Sequence, residues 1–141
     1  MSLYLDASVL LPLVVIEPQH PNLWDFLELQ PKPLIVTSFA RGEAASALSR
    51  LVRTRRLTAD EARAGLTDLD AWLKRVCVSP GVEDGDIRTG TQFVERFDLA
   101  LKLPDAVHLA CAKRLGHPLV TLDRLLHHAA DALDIAALVP A

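Results

Sequence analysis

Four acidic residues of this chain stand where carboxylates can do chemistry: Asp6, Glu43, Asp105 and Asp123. Asp6 follows the apolar run Leu3-Tyr4-Leu5, and Asp123 follows Leu119-Val120-Thr121-Leu122. Each ends a predicted strand and opens a predicted helix. In an open α/β sheet the ligand crevice lies beyond the carboxyl ends of the strands, so both side chains are expected to project there. Glu43 falls just over a turn into the helix after the second predicted strand, and Asp105 in the first turn of another helix. All four are expected to meet at one end of the sheet.

Carboxylates a few ångströms apart cannot all ionise comfortably, and at least one pKa must rise. A Mg²⁺ or Mn²⁺ ion removes the difficulty, because these hard cations prefer carboxylate and water oxygens. Such a metal lowers the pKa of bound water and stabilises charge on a phosphoryl group under in-line attack. The set therefore points to metal-assisted phosphodiester hydrolysis. Taken singly, each residue has a plainer role. Asp6 and Asp123 would serve as helix N-caps, worth about 1 kcal/mol each. Asp105 would favour a helix N-terminus, and Glu43 would sit on a solvated face. Glu43, however, is followed by Ala44, Ala45, Ala47 and Leu48, which places it beside a packed face rather than in a charged run.

The elements that must position these residues alternate between short apolar runs and longer helical patterns, the signature of an α/β fold with a mostly parallel sheet. Leu3–Leu5 reads as the first strand and Ala7–Ile16 as a helix ended by Glu17-Pro18. A second helix is expected over about Asn22–Leu29, then a buried strand at Leu34–Thr37. Ser38 is the expected N-cap of a helix over Phe39–Thr54. Thr58 and Glu61 form a capping-box pattern for a helix reaching about Lys74. Val76–Ser79 reads as the third strand, Pro80–Gly85 as a turn, and the next helix runs to about Phe97. Pro104 suits the first position of a helix that stops at Gly116. Leu119–Thr121 is the fourth strand, Asp123–Leu133 a short helix, and Ile135–Val139 a final edge strand. The order of strands in the sheet is not readable from this pattern.

The 141 residues are the size of one domain, and half are hydrophobic, which is enough for a substantial core. A net charge of −3 argues against a simple electrostatic nucleic-acid binder, though bound cations would reverse the sign locally. Cys77 and Cys111 read as reduced, buried thiols, and with no CxxC or Cys/His cluster a zinc site is not expected. The chain opens without a basic, apolar leader pattern, and Val9–Ile16 is too short to span a bilayer, so a soluble cytoplasmic protein is expected.

Arg50, Arg53, Arg55 and Arg56 form the one dense basic cluster, a candidate track for an RNA backbone or, more plainly, a solvated helix end. Arg41 could contact a phosphate or pair with a nearby carboxylate. His108 lies three residues after Asp105 on the same helix face and reads as a packed histidine with a local hydrogen bond, no acidic partner being evident. His127 and His128 are adjacent and so point apart. Trp24, Phe26, Trp72 and Phe93 read as core or interface residues, and no aromatic platform for stacking bases is evident.

Four segments together resemble the motifs of the PIN-domain nucleases. Leu3-Tyr4-Leu5-Asp6-Ala7-Ser8 resembles the first, a strand followed by Asp-x-Ser/Thr; Ser38-Phe39-Ala40-Arg41-Gly42-Glu43 resembles the second. Leu103-Pro104-Asp105-Ala106-Val107-His108 resembles the third and Leu119-Val120-Thr121-Leu122-Asp123 the fourth. Any one is weak, but all four occur in order across nearly the whole chain. The resemblance implies a three-layer α/β/α domain over residues 1–141 that cleaves RNA with Mg²⁺ or Mn²⁺. It makes Asp6, Glu43, Asp105 and Asp123 the metal-binding and catalytic set, with Ser8 supporting the first. The fourth segment departs from the family at Arg124-Leu125-Leu126, where an acidic or polar residue and an aromatic usually follow. The short length resembles the VapC toxins, which implies a homodimer neutralised by a small antitoxin, and the apolar helices Val9–Ile16 and around Trp24 and Phe26 would form the docking surface.

Other classes fit less well. A haloacid-dehalogenase phosphatase needs a second Asp where Ser8 stands. A receiver domain needs an Asp ending the third strand, which Val76-Cys77-Val78-Ser79 lacks. No GxxxxGK[ST] or GxGxxG motif is present. The remaining competitor is a PIN fold that chiefly binds, with little catalysis and under the control of a partner.

Overall fold

The structure, a computed structural model, describes residues 2–15 and 20–140. Five short strands form one sheet: β1 (Tyr4–Leu5), β2 (Leu34–Ile35), β3 (Cys77–Val78), β4 (Leu119–Val120) and β5 (Ala137–Leu138). Their order is β3-β2-β1-β4-β5, and every pairing is parallel. The chain lays β2 and β3 outward on one side of β1, then returns to place β4 on the other side. Its direction of build therefore reverses between β1 and β4, the place where an open sheet parts its flanking helices and leaves a crevice.

Side-chain alternation along the strands sorts the seven helices into two layers. Leu3, Leu5, Leu34, Val36 and Val120 face one side. They pack against α1 (Ala7–Val14), α2 (Leu23–Leu29), α3 (Ser38–Arg53) and α4 (Ala59–Val76). Tyr4, Ile35 and Leu119, the intervening positions, face the other side. They meet α5 (Asp84–Val94), α6 (Leu103–Leu115) and α7 (Arg124–Ala132). The strands at the centre are apolar on both faces because both are covered. No helix among the described residues is long and apolar enough to cross a membrane.

Local rules account for most element ends. Thr58 and Glu61 exchange both capping-box hydrogen bonds, at 3.1 and 3.0 Å. Pro104 sits in the first turn of α6, and Gly116 ends it with a φ of 74°, where a Cβ would be strained. The cap of α3 is Thr37 rather than Ser38: the Thr37 hydroxyl accepts from the Ala40 amide at 3.2 Å, and Ser38 begins the helix. Two adjacent hydroxyl residues offered the same cap, and the strand's end decided between them. α4 runs on to Val76, which packs against the first core. α5 stops at Val94, short of Phe97, which is exposed and enters a separate 3₁₀ turn (Phe97–Leu99) with no core contact to prolong the helix. The expected end of α1 at Glu17-Pro18, like Ile16, lies outside the described residues. Both cysteines are free; Cys111 is buried, whereas Cys77 is only half-buried because β3 lies at the sheet edge.

The helix pair α5–α6 matters most to the position of Asp105. Buried Asp86 joins the two helices, accepting from the Arg114 guanidinium at 2.8 and 2.9 Å and from the Cys111 thiol at 3.3 Å. The Arg114 guanidinium holds the Asp86 carboxyl below its usual range. Next to this pair, Gly90 lies directly against α6. A Cβ there would stand 3.1 Å from the Val107 amide nitrogen and 3.2 Å from the Ala106 carbonyl carbon. These are backbone atoms of a buried turn next to Asp105, with little freedom to yield. Gly90→Ala should therefore destabilise the fold by about 1–2 kcal/mol, overpacking outweighing the gain in helix propensity. Gly42→Ala in exposed α3, with nothing within 4 Å, should stabilise it by up to about 1 kcal/mol. Urea melts of the two variants check the opposite signs.

Candidate active site

The carboxyl ends of β1, β2 and β4 are adjacent, and each leads to one of the acidic residues. Asp6 caps α1. Its Oδ1 accepts from the Ser8 amide at 3.0 Å and from the Ser8 hydroxyl at 2.5 Å. The Ser8 hydroxyl oxygen also accepts from the Leu122 amide at 2.9 Å and lies 3.3 Å from the Thr121 hydroxyl. Ser8 thus ties the end of β1 to the end of β4. Thr121, fully buried, accepts in turn from the Asp123 amide at 3.0 Å. Asp123 caps α7, its Oδ1 accepting from the Leu125 and Leu126 amides at 2.9 and 3.2 Å. The plain role expected of Asp6 and Asp123 is real. It does not compete with a functional one, because each cap uses Oδ1 and leaves the second oxygen for another partner.

Asp105 stands on the first turn of α6. Its carboxyl is pushed up to about 6 by burial, and then by the charges of Asp123, Asp6 and Glu43. Asp6 is raised as well: burial disfavours its charge, while the Ser8 and Thr121 hydroxyls favour it. The structure thus places Asp6, Glu43 and Asp123 where their charges act on Asp105. Their donors are all hard oxygens, a set that suits Mg²⁺ or Mn²⁺ and whose mutual repulsion such a cation would offset. As the side chains stand, no three His, Cys, Asp or Glu among the described residues are gathered tightly enough to enclose an ion.

Glu43, half-buried on α3, is hydrogen-bonded through Oε1 to Nε2 of His108. Nδ1 of His108 meets the Tyr4 hydroxyl at 2.7 Å, and the ring packs against Phe39 and Tyr4 at centroid distances of 5.4 and 5.7 Å. The expectation of a packed histidine without an acidic partner is half corrected: His108 is buried, but its partners are a glutamate and a tyrosine remote in sequence. Tyr4 and Thr121 drew no notice as site residues. A tyrosine in a strand buried on both faces was the available signal, because a buried phenol needs a partner.

Arg41 pairs with Asp70 at 2.7 and 3.1 Å, the carboxylate alternative of its two readings. A groove of about 1110 Å³ runs from Glu43 and Pro104 past Phe39 to Arg50, Arg53 and Arg56. Arg55 does not line it: its φ of 60° places it in the turn leaving α3, apart from the arginines of the helix face. Of the expected docking helices, Val9 and Leu10 are wholly buried, Leu11 and Val15 line the groove, and Trp24 stays half-exposed over Trp72 with ring centroids 5.7 Å apart.

Residues 3–132 match the PIN domain. The chain belongs to the PIN-domain family. This PIN domain is 29% identical to a Mycobacterium tuberculosis (strain ATCC 25618 / H37Rv) protein named Ribonuclease VapC46, over 99% of this chain and 98% of that protein. Among solved structures it resembles M. tuberculosis VapC20, described as a sarcin-ricin loop cleaving toxin. That match has a TM-score of 0.73 and 18% identity, covering 99% of this chain and 100% of the other. It also resembles VapBC2 of Rickettsia felis bound to a promoter DNA fragment, with a TM-score of 0.72, 13% identity, and 99% and 98% coverage. At such identities the structural matches speak for the fold, and the parallel sheet between two helical layers agrees with it.

The crowding of Asp105 has a measurable consequence for this PIN domain. In the metal-free protein, Asp105→Asn should raise the melting temperature at pH 7.5, by about 2–4 °C for each ~1 kcal/mol of desolvation and repulsion removed. The native carboxyl takes up its proton near pH 6, before the unfolded chain does near 3.8. The cost of its charge is thus complete above 6 and vanishes below 3.8, so the advantage of the variant should shrink as pH falls through that window. Melting curves from pH 8 to pH 4 in EDTA check this.

Proposed function

We propose that this PIN domain is a Mg²⁺- or Mn²⁺-dependent endoribonuclease that hydrolyses RNA phosphodiester bonds and acts in the cytoplasm as the toxin of a toxin–antitoxin pair. The observation that carries this reading is the placement of Asp6, Glu43 and Asp123 just beyond the carboxyl ends of β1, β2 and β4 of a parallel sheet, with Asp105 under the influence of their charges. A bare cluster of this kind is a liability to the fold, and a divalent cation turns it into a site. When bound, the cation supplies a water of lowered pKa and charge stabilisation at the phosphoryl group. The work of the chain is to hold the donors: Asp6 through Ser8, Asp123 through the first amides of α7, Asp105 on the first turn of α6, and Glu43 on α3. The name of the M. tuberculosis relative, a ribonuclease, and the description of one structural neighbour as a toxin support the activity and the role.

The groove gives the substrate a path. Glu43, Ala47, Arg50 and Thr54 follow at helical spacing along one face of α3, so the arginine side of the groove begins where the carboxylates end. From Glu43 to Arg53 is about 15 Å along the helix axis. Arg50, Arg53 and Arg56 there would contact phosphates of a single strand led into the site, compensating a net charge of −3 that by itself repels RNA. The antitoxin would dock on the apolar side of the same region, using Leu11, Val15 and the exposed Trp24, and would thereby obstruct the site; a homodimer is the expected assembly.

Two measurements test this. Purified protein given a mixed single-stranded RNA pool should cut it with Mg²⁺ or Mn²⁺ and not with EDTA. Asp6→Asn and Asp105→Asn should each lose at least about 100-fold in rate, the scale of losing one positioned electrostatic group. Cutting that survives EDTA or both variants would sink the assignment, and inactivity of metal-loaded wild type on varied RNAs would favour a partner-controlled binding module. Separately, Arg53→Glu and Arg56→Glu should weaken RNA binding and flatten its salt dependence, by about 0.7 in log–log slope for each phosphate no longer neutralised. Arg55→Glu should change both much less; equal effects at all three arginines would point to general charge rather than the groove.

A further inference from the structure

We propose that His108 is a positioning residue that holds the Glu43 carboxylate at the acidic cluster, with Tyr4 and Phe39 fixing the imidazole ring. The inference rests on the reading of the cluster as a divalent-cation site and concerns how its most mobile member is kept in place.

The four carboxylates are not held alike. Asp6 and Asp123 have short side chains clamped by amides of their own helix starts. Asp105 is half-buried in the first turn of α6 and has only two rotatable bonds. Glu43 has three rotatable bonds and projects from the interior of α3, where its own helix offers no unused amide. Left alone, it would spread over several rotamers and reach the cluster only part of the time. His108 supplies the missing constraint from the opposite helical layer. It is 1% exposed, and both ring nitrogens are engaged, Nε2 with Glu43 and Nδ1 with Tyr4.

The direction of the hydrogen bonds follows from chemistry. An ionised carboxylate only accepts, so Nε2 carries a proton and donates it to Glu43. The Tyr4 hydroxyl lies 2.7 Å from Nδ1 and can give or accept a proton there, so the ring is held from its far side in either case. The ring itself cannot turn, because Phe39 lies against it at 5.4 Å and Tyr4 crosses it edge-on at 5.7 Å. The contact uses Oε1 of Glu43 and leaves Oε2 without a protein partner among the described residues. Position is shared as well: β1 supplies both Tyr4 and, two residues on, Asp6, so the strand that presents the first aspartate also anchors the glutamate. Asp105 and His108 lie three residues apart on α6, so one helix face contributes a carboxylate directly and steers another.

Manganese binding by the full chain, followed by the EPR signal of free Mn²⁺ at fixed pH, tests the assignment without any assay of cleavage. His108→Leu removes the donor and should weaken Mn²⁺ binding by about 10-fold or more, the usual cost of removing an outer partner of a metal ligand. His108→Gln presents an amide N–H at nearly the same place and should recover most of the affinity. Tyr4→Phe removes one oxygen with the ring packing intact and should weaken binding by a smaller factor; it decides the matter if His108→Leu does not fold. In a Glu43→Gln background, His108→Leu should cause little further loss. An equal loss in that background would show that His108 acts on the fold rather than through Glu43. Wild-type affinity in both His108→Leu and Tyr4→Phe would overturn the proposal while leaving the metal site standing. No Mn²⁺ binding by the wild type would overturn the cation site, and this inference with it.

Discussion

Like charge confined to the end of a sheet is the constraint around which the rest of the molecule is arranged. Asp105 feels Asp123, Asp6 and Glu43 at once, and its partial burial weakens the water screening between them. Such a cluster persists only if the backbone that carries it has no cheaper arrangement. Here the backbone is held by hydrogen bonds at the strand ends, several of them made to the cluster's own carboxylates. The Ser8 hydroxyl, bonded to Asp6 and to the Leu122 amide, fastens β1 to β4 at the point where their helices diverge. Thr121 continues the chain of bonds to the Asp123 amide. Two helix caps and two hydroxyls thus place the ends of β1 and β4 before any cation is considered.

The same constraint explains why α5 and α6 are joined so closely. α6 must bring Asp105 toward three other carboxylates, an approach that repulsion opposes. The opposing grip is the pair of buried Asp86 with surface Arg114, reinforced by the Cys111 thiol and by the glycine contact at Gly90. A partly buried, doubly hydrogen-bonded arginine–carboxylate pair has a fixed planar geometry, so it sets orientation as well as distance. The acidic site is in this sense assembled from one helix held by an ion pair, two helices held by their caps, and one glutamate held by a histidine.

Legibility in the sequence followed the range of the forces involved. The capping box at Thr58–Glu61, Pro104 and Gly116 at the ends of α6, and Asp6 and Asp123 as strand-to-helix junctions were all readable because each rests on contacts within a few residues. The parallel α/β class was readable from alternation. The strand order was not, because it depends on which face the chain returns to after β3, and no local pattern records that. Ser38 was the expected cap of α3, but its neighbour Thr37 carries a hydroxyl too and makes the capping bond. The link from Glu43 to His108 spans 65 residues and that from His108 to Tyr4 spans 104, so periodicity could place each residue on an element but not show that they meet. Arg55 looked equivalent to its neighbours until the backbone turned beneath it.

α3 carries the most compact statement of how the parts work together. Its buried side, Ala40, Ala44 and Leu48, is made of small and medium residues at helical spacing, which lets the helix lie near the sheet. The adjacent stripe begins with Glu43 and proceeds to Arg50 and Thr54 along the groove. Rotating the helix to improve the packing of one stripe would move the other, so core packing and the direction of the groove are a single degree of freedom. The charges are ordered along it, negative at the helix start near the strand ends and positive in the last turn, where cations also favour the helix dipole. A polyanion approaching a chain of net negative charge meets its attractive surface first at the arginines and the carboxylates last. For the carboxylates to accept it, the sign at that end must change, and a bound cation is the simplest agent that reverses it without moving the backbone.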